Sequence, residues 1–73
     1  MAFEELTAVE IDYTNYKGER SRRLIRPKRL WFGCNAWHKE PQWLLDAFDF
    51  TKDEWRTFAM NNIHEWKIPN NEV

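Results

Sequence analysis

An all-β domain is what this sequence predicts, and three observations predict it. Apolar and polar residues alternate in short runs: Val9, Ile11 and Tyr13 against Glu10, Asp12 and Thr14, and Trp55, Thr57 and Ala59 against Arg56, Phe58 and Met60. That period of two marks strands. Turn-forming residues separate the runs at intervals of about 8–12 residues, as in small sandwiches and barrels. Finally, 73 residues with 16% aromatic content, including five Trp and five Phe, can fill one core but not two. A chain of this length suits a five-stranded SH3- or Sm-like barrel. We place the barrel at residues 9–68, after a lead-in at 1–8 and before a tail at 69–73.

Each element follows from its residues. In the lead-in, Phe3 and Leu6 are three apart, which a short N-terminal helical turn could use; the segment is too short to be a stable helix alone. The alternation from Val9 to Thr14 gives the first strand. Asn15, Tyr16, Lys17 and Gly18 supply turn chemistry, with Gly18 free to take positive φ. Arg20 to Arg26 is a second extended run and completes a hairpin. Pro27 has no amide hydrogen to donate, so it is read as a bend, bulge or edge position that interrupts the ladder. Arg29 to Phe32 reads as a further strand, ending at Gly33. Residues 34–42 form a connection in which Trp37 folds back onto the core or caps a groove. Trp43 to Phe50 is the strongest core strand, with Trp43, Leu45 and Ala47 on one face and Leu44, Asp46, Phe48 and Phe50 on the other. Residues 51–54 turn the chain into the run from Trp55 to Met60. Asn61 and Asn62 turn it again, and Ile63 to Ile68 closes the domain as a helical turn or an extended edge piece.

The net charge of −1 conceals an asymmetry. From Lys17 to Arg29 there are seven basic residues and one acid, a charge of +6; the other residues hold four basic and eleven acidic side chains, −7. Such a window suggests a positive patch on an acidic body. It is equally the mark of a solvated strand face whose arginines pair with neighbouring acids, their stems covering apolar surface.

Little in the chain suggests catalysis. Cys34 and His38 are spaced C-x3-H, with His64 far along the chain, and no paired ligand motif accompanies them as a zinc site would require. Nothing beside Cys34 and His38 orients them as a nucleophile and base. Asp46 and Asp49 fall on opposite strand faces. Gly18 and Gly33 are too few for a phosphate-cradling loop. We therefore expect no enzyme, no metal and no cofactor. A single Cys excludes an internal disulfide, and a free thiol fits a reducing, cytoplasmic setting. The apolar runs are too short to span a membrane. The first twenty residues carry Glu4, Glu5, Glu10 and Asp12 and lack the apolar stretch of a signal peptide.

Binding rests on firmer chemistry. Guanidinium groups match phosphate oxygens with paired hydrogen bonds, and Tyr13, Tyr16, Trp31, Phe32 and Trp37 flank the arginine-rich arm. Rings among cations suit base stacking, worth about 1–3 kcal/mol per base. One of Trp31 and Phe32 must face inward.

From Ile11 to Ile63 the order of features resembles the WYL domain of bacterial and phage regulators. The landmarks are the strand ending at Tyr13, then Gly18-x-x-Ser21-x-Arg23-x-Ile25-x-Pro27, then Leu30-Trp31-Phe32. Trp43-Leu44-Leu45-Asp46-Ala47-Phe48 follows, similar to the Trp-Tyr-Leu signature, and Trp55-Arg56-Thr57-Phe58-Ala59-Met60-Asn61-Asn62-Ile63 is similar to the closing R-x-F-x-x-x-R-I segment. Leu44 stands where the signature has Tyr, and Asn62 where the family usually has Arg. The resemblance implies a stand-alone Sm- or SH3-like barrel that senses a nucleic-acid or nucleotide-type ligand through a basic patch, often in transcription regulation. It carries Tyr13, Arg23 and Arg56 over as ligand-binding residues; Trp43 matches the signature Trp and is assigned to the core. Charge adds Arg20, Arg22, Arg26 and Lys28, and ring exposure adds Trp37. The rival reading is a protein-interaction or self-associating module, such as a homodimer, using its sheet edge and aromatics. A phage-encoded regulator or inhibitor also fits the size.

Overall fold

The computed structural model describes residues 8–69. The expected helical turn at Phe3 and Leu6 and the end of the tail lie outside the described residues. Five antiparallel strands form one sheet: β1 (Val9–Thr14), β2 (Arg20–Gly33), β3 (Gln42–Asp49), β4 (Glu54–Ala59) and β5 (Ile63–Lys67). A 3-10 turn at Met60–Asn62 joins β4 to β5. The all-β expectation holds. The order across the sheet is β4-β3-β2-β1-β5.

That order forces curvature. β4 and β5 lie at opposite edges yet are joined by three residues, so the edges must converge there. Tyr13 on β1 and Phe58 on β4 have ring centroids 4.8 Å apart. In a flat sheet three strand spacings would separate those strands by about 14 Å. The sheet therefore rolls around Ile11, Tyr13, Ile25, Leu45, Ala47 and Phe58, all buried. No ladder joins β4 to β5 among the described residues, so the roll stays open rather than closing as a barrel.

Pro27 does not end a strand. β2 runs unbroken for 14 residues and takes Pro27 through a bulge at Lys28: Pro27 pairs with Ala47, and Arg29, not Lys28, pairs with Asp46. The β1 partner runs only as far as Ile25, opposite Val9. The missing amide hydrogen thus falls past the described end of the β1 ladder, where a proline can be tolerated. The bulge also shifts parity. Before it, Arg23, Ile25 and Pro27 point inward; beyond it, Leu30 does. The closing segment resolves as strand β5, paired with β1.

Three side-chain oxygens, two of amides and one of a carboxylate, hold the loops. Asn15 Oδ1 accepts from the amides of Lys17 and Glu19, and Gly18 supplies the positive φ of that turn, 84°. Asn35 Oδ1 accepts from the amides of Trp37 and His38. Asp49 Oδ1 accepts from those of Thr51 and Lys52. Asn and Asp favour turns for this reason.

Candidate functional site

The inner face of the sheet carries an ionic cluster at its centre. Asp49 is fully buried and sits beside Arg23, which is itself only 5% exposed. Arg23 Nη1 donates to Asp49 Oδ2 at 2.6 Å, and its Nε donates to Ser21 Oγ. Arg56, from β4, brings its Nε within 3.6 Å of the same carboxylate oxygen. That Nε is buried without a hydrogen-bond partner. Its Nη2 reaches out to Glu54. Register explains the meeting. Ile25 pairs with Asp49 and Ala47 with Arg56, which puts Arg23, Asp49 and Arg56 on one face across β2, β3 and β4. Two guanidinium groups thus share one buried carboxylate, and Glu54 at the surface supplies the second acid.

Tyr13 completes it. Its ring packs edge-on against Phe58 and lies 5.8 Å from the Arg23 guanidinium. Burial pushes its phenol pKa up, opposed by a hydrogen bond with the Ala59 backbone and by the charges of Arg23 and Arg56.

Above the cluster opens a groove of about 980 Å³, at the large end of the range of about 300–1,000 Å³ typical of ligand sites. Tyr13, Arg23, Trp37 and Arg56 line it, joined by Lys28 and Trp55. Its charged lining is four strong bases, Arg23, Lys28, Arg29 and Arg56, against two acids, Asp46 and Glu54. Asp46 is already engaged by the indole of Trp31, the hydroxyl of Thr57 and the guanidinium of Arg29. Trp37 is 68% exposed and packs on Tyr16 at 5.3 Å, so the connection after β2 folds back over the first turn.

The structure thus brings five of the eight candidates to one groove: Tyr13, Arg23, Lys28, Trp37 and Arg56. Arg20, Arg22 and Arg26 do not line it. Arg20 forms a two-pronged bond to Asp12, whose carboxyl is held below its ordinary pKa by it. Arg22 lies near Glu10 and Glu65. For these two the strand-face pairing describes the structure. Arg26 sits over the Phe50 ring. Trp43 is a correction: it is 52% exposed, edge-on to Phe32, because its inward-facing position lies at the start of β3, beyond the core cluster. Cys34 is exposed. Sequence reasoning missed Asp49, although an Asp opening the Phe-Thr-Lys turn, two positions from Ala47 on the inward face, was a usable signal. It also missed Trp55.

The family model for the WYL domain matches residues 1–68. The chain belongs to the WYL domain family. No curated protein matches the chain at a significant level. Membership makes this WYL domain a regulatory, ligand-sensing type of module rather than a member of an enzyme family. Among the described residues no helix is long and apolar enough to cross a membrane.

Proposed function

We propose that this WYL domain binds an anionic ligand, an oligonucleotide or nucleotide, without altering it chemically, and serves as the sensing part of a transcription regulator. The observation that carries the reading is the groove over the Arg23–Asp49–Arg56 cluster. Arg56 is the phosphate contact: its side chain is partly exposed and, among the described residues, its outer Nη2 is held by Glu54, an exposed acid that a phosphate can displace. Arg23 contributes potential from below and holds Asp49, which in turn leaves Arg56 in place. Tyr13 forms the buried floor. Its ring faces are taken up by packing, so stacking on a base falls to Trp37 and Tyr16 at the rim.

The test is an anisotropy titration of a labelled eight-nucleotide single strand at low and moderate salt. The expected result is saturable binding that weakens steeply with salt. Arg56→Gln, in a domain shown to be folded, should cost at least about tenfold in affinity, the scale of a lost charged hydrogen bond of about 1.5–3 kcal/mol. Unchanged affinity in Arg56→Gln would overturn the site.

A further inference from the structure

The outer face of the sheet carries a cluster that the groove does not absorb. Register pairs Arg26 with Phe48 and Phe48 with Trp55, so these side chains form a row across β2, β3 and β4. Phe50 joins the row. The Phe48–Phe50 and Phe48–Trp55 centroids are 5.1 and 5.3 Å apart, both edge-on. Two cations lie over these rings: Arg26 at 5.7 Å from Phe50 and Lys28 at 5.2 Å from Trp55.

Three features set this row apart. First, neither Arg26 nor Lys28 forms a salt bridge among the described residues, whereas Arg20, Arg22 and Arg29 along the same strand all do. Second, Phe50 and Trp55 remain 41% and 58% exposed, although folding favours burial of such rings. Third, the row is continuous with the groove, because Lys28 and Trp55 line both. The centre of a protein–protein seam is depleted of Lys, though not of Arg, and here Lys28 stands over Trp55. Here the unpaired cations sit over the rings themselves. That arrangement fits a chain that alternates negative charge with flat apolar faces.

We propose that this outer row binds single-stranded nucleic acid as a continuation of the groove, with phosphates at Arg26 and Lys28 and bases on Phe50 and Trp55. The proposal rests on the groove reading and extends it. The ligand is a chain of several nucleotides that crosses from the groove onto the outer face at the Lys28 bulge. From Trp55 at the edge of the groove the row runs two strand spacings, about 10 Å, to Arg26, a span that a single nucleotide held at Arg56 does not cover.

The experiment compares thymidine monophosphate with an eight-residue thymidine oligonucleotide by tryptophan fluorescence. It uses the wild-type chain, Arg26→Gln and Phe50→Ala, with folding checked by circular dichroism. Neither substituted residue lines the groove. The wild type should bind the octamer at least about tenfold more tightly than the monophosphate. Arg26→Gln should weaken octamer binding at least about threefold and make the log–log salt slope shallower by about 0.7, one phosphate contact on a single strand. Phe50→Ala should weaken it at least about fivefold, the loss of one stacked base. Both should leave monophosphate affinity within about twofold. If Phe50→Ala does not fold, the Arg26→Gln slope decides alone.

Equal octamer affinity in wild type and Arg26→Gln, with both ligands bound, would overturn the outer row and leave the groove standing. No binding of either ligand by the folded wild type would overturn both. If Arg26→Gln instead changes the sedimentation of the protein and leaves octamer binding intact, the face is a protein interface and the proposal fails.

Discussion

Asp49 organises this domain at the scale of single residues. One buried carboxylate receives Arg23, lies against Arg56 and accepts two turn amides from Thr51 and Lys52. Removing one member of a buried ion pair leaves the other charge uncompensated, at a cost of about 3–5 kcal/mol. Asp49→Ala should therefore lose that much stability in urea denaturation, enough to unfold much of a domain this small. A loss within 1 kcal/mol, on the order of an ordinary surface change, would mean the pair does little for the fold. Tyr13 gives a second residue-scale prediction. Its phenol pKa is raised above the ordinary 10.0, chiefly by burial. A folded-state pKa above the unfolded one contributes stability fully below about pH 10, and that contribution disappears as pH rises through the folded value. Spectrophotometric titration should show a tyrosine step above pH 10 that is missing in Tyr13→Phe, and the variant should lose less stability than the wild type in alkali.

At the scale of elements, the bulge in β2 is the feature that sets which side chains face the groove. Parity in a strand is strict, so a one-residue shift exchanges the two faces. Deleting Lys28 would remove the extra residue and let Arg29 follow Pro27 directly in its present register opposite Asp46, with Leu30 still inward. We expect both the deletion and Lys28→Ala to retain cooperative thermal unfolding; loss of cooperativity in the deletion alone would mean that the bulge itself, and not the pairing on either side of it, holds β2 in place. The same bulge explains what could be read in the sequence. The alternations of β1, β3 and the first part of β4 were legible because each has one half-buried face. Pro27 was legible as a bend, bulge or edge position, but which of the three it is, within one long strand, depends on how far the β1 ladder runs. β5 could be read two ways because Ile63, Trp66 and Ile68 satisfy both periods, and pairing with β1 decides it. Arg23 was separable from Arg20, Arg22 and Arg26 by odd and even position alone. Asp49 offered only its place two positions from Ala47 on the inward face, because a strand carboxylate reads as exposed until its two arginine partners are brought from 26 and seven residues away in the chain.

Over the whole molecule, the +6 window and its −7 complement largely neutralise each other within the chain. Arg20, Arg22 and Arg29 find acids on β1, β5 and β3. What stays positive is local: the groove over Arg23 and Arg56, and the bulge at Lys28. This lessens the drive for charge-led head-to-tail association and concentrates the field where a ligand would enter. The family match covers nearly the whole chain, yet neither the signature position that differs, Leu44, nor the one that matches, Trp43, is in the groove; Leu44 is fully buried and Trp43 is at the surface. The central claim is that an anion sits over Arg56, with rings of the groove beside it. The most direct test is a two-dimensional NMR titration of ¹⁵N-labelled protein with the octamer, following the arginine Nε–H and indole N–H signals. The account predicts shifts at Arg56, Trp37 and Trp55 with Trp43 and Trp66 unmoved. Shifts confined to Trp43 and Trp66, with Arg56 unmoved, would contradict it.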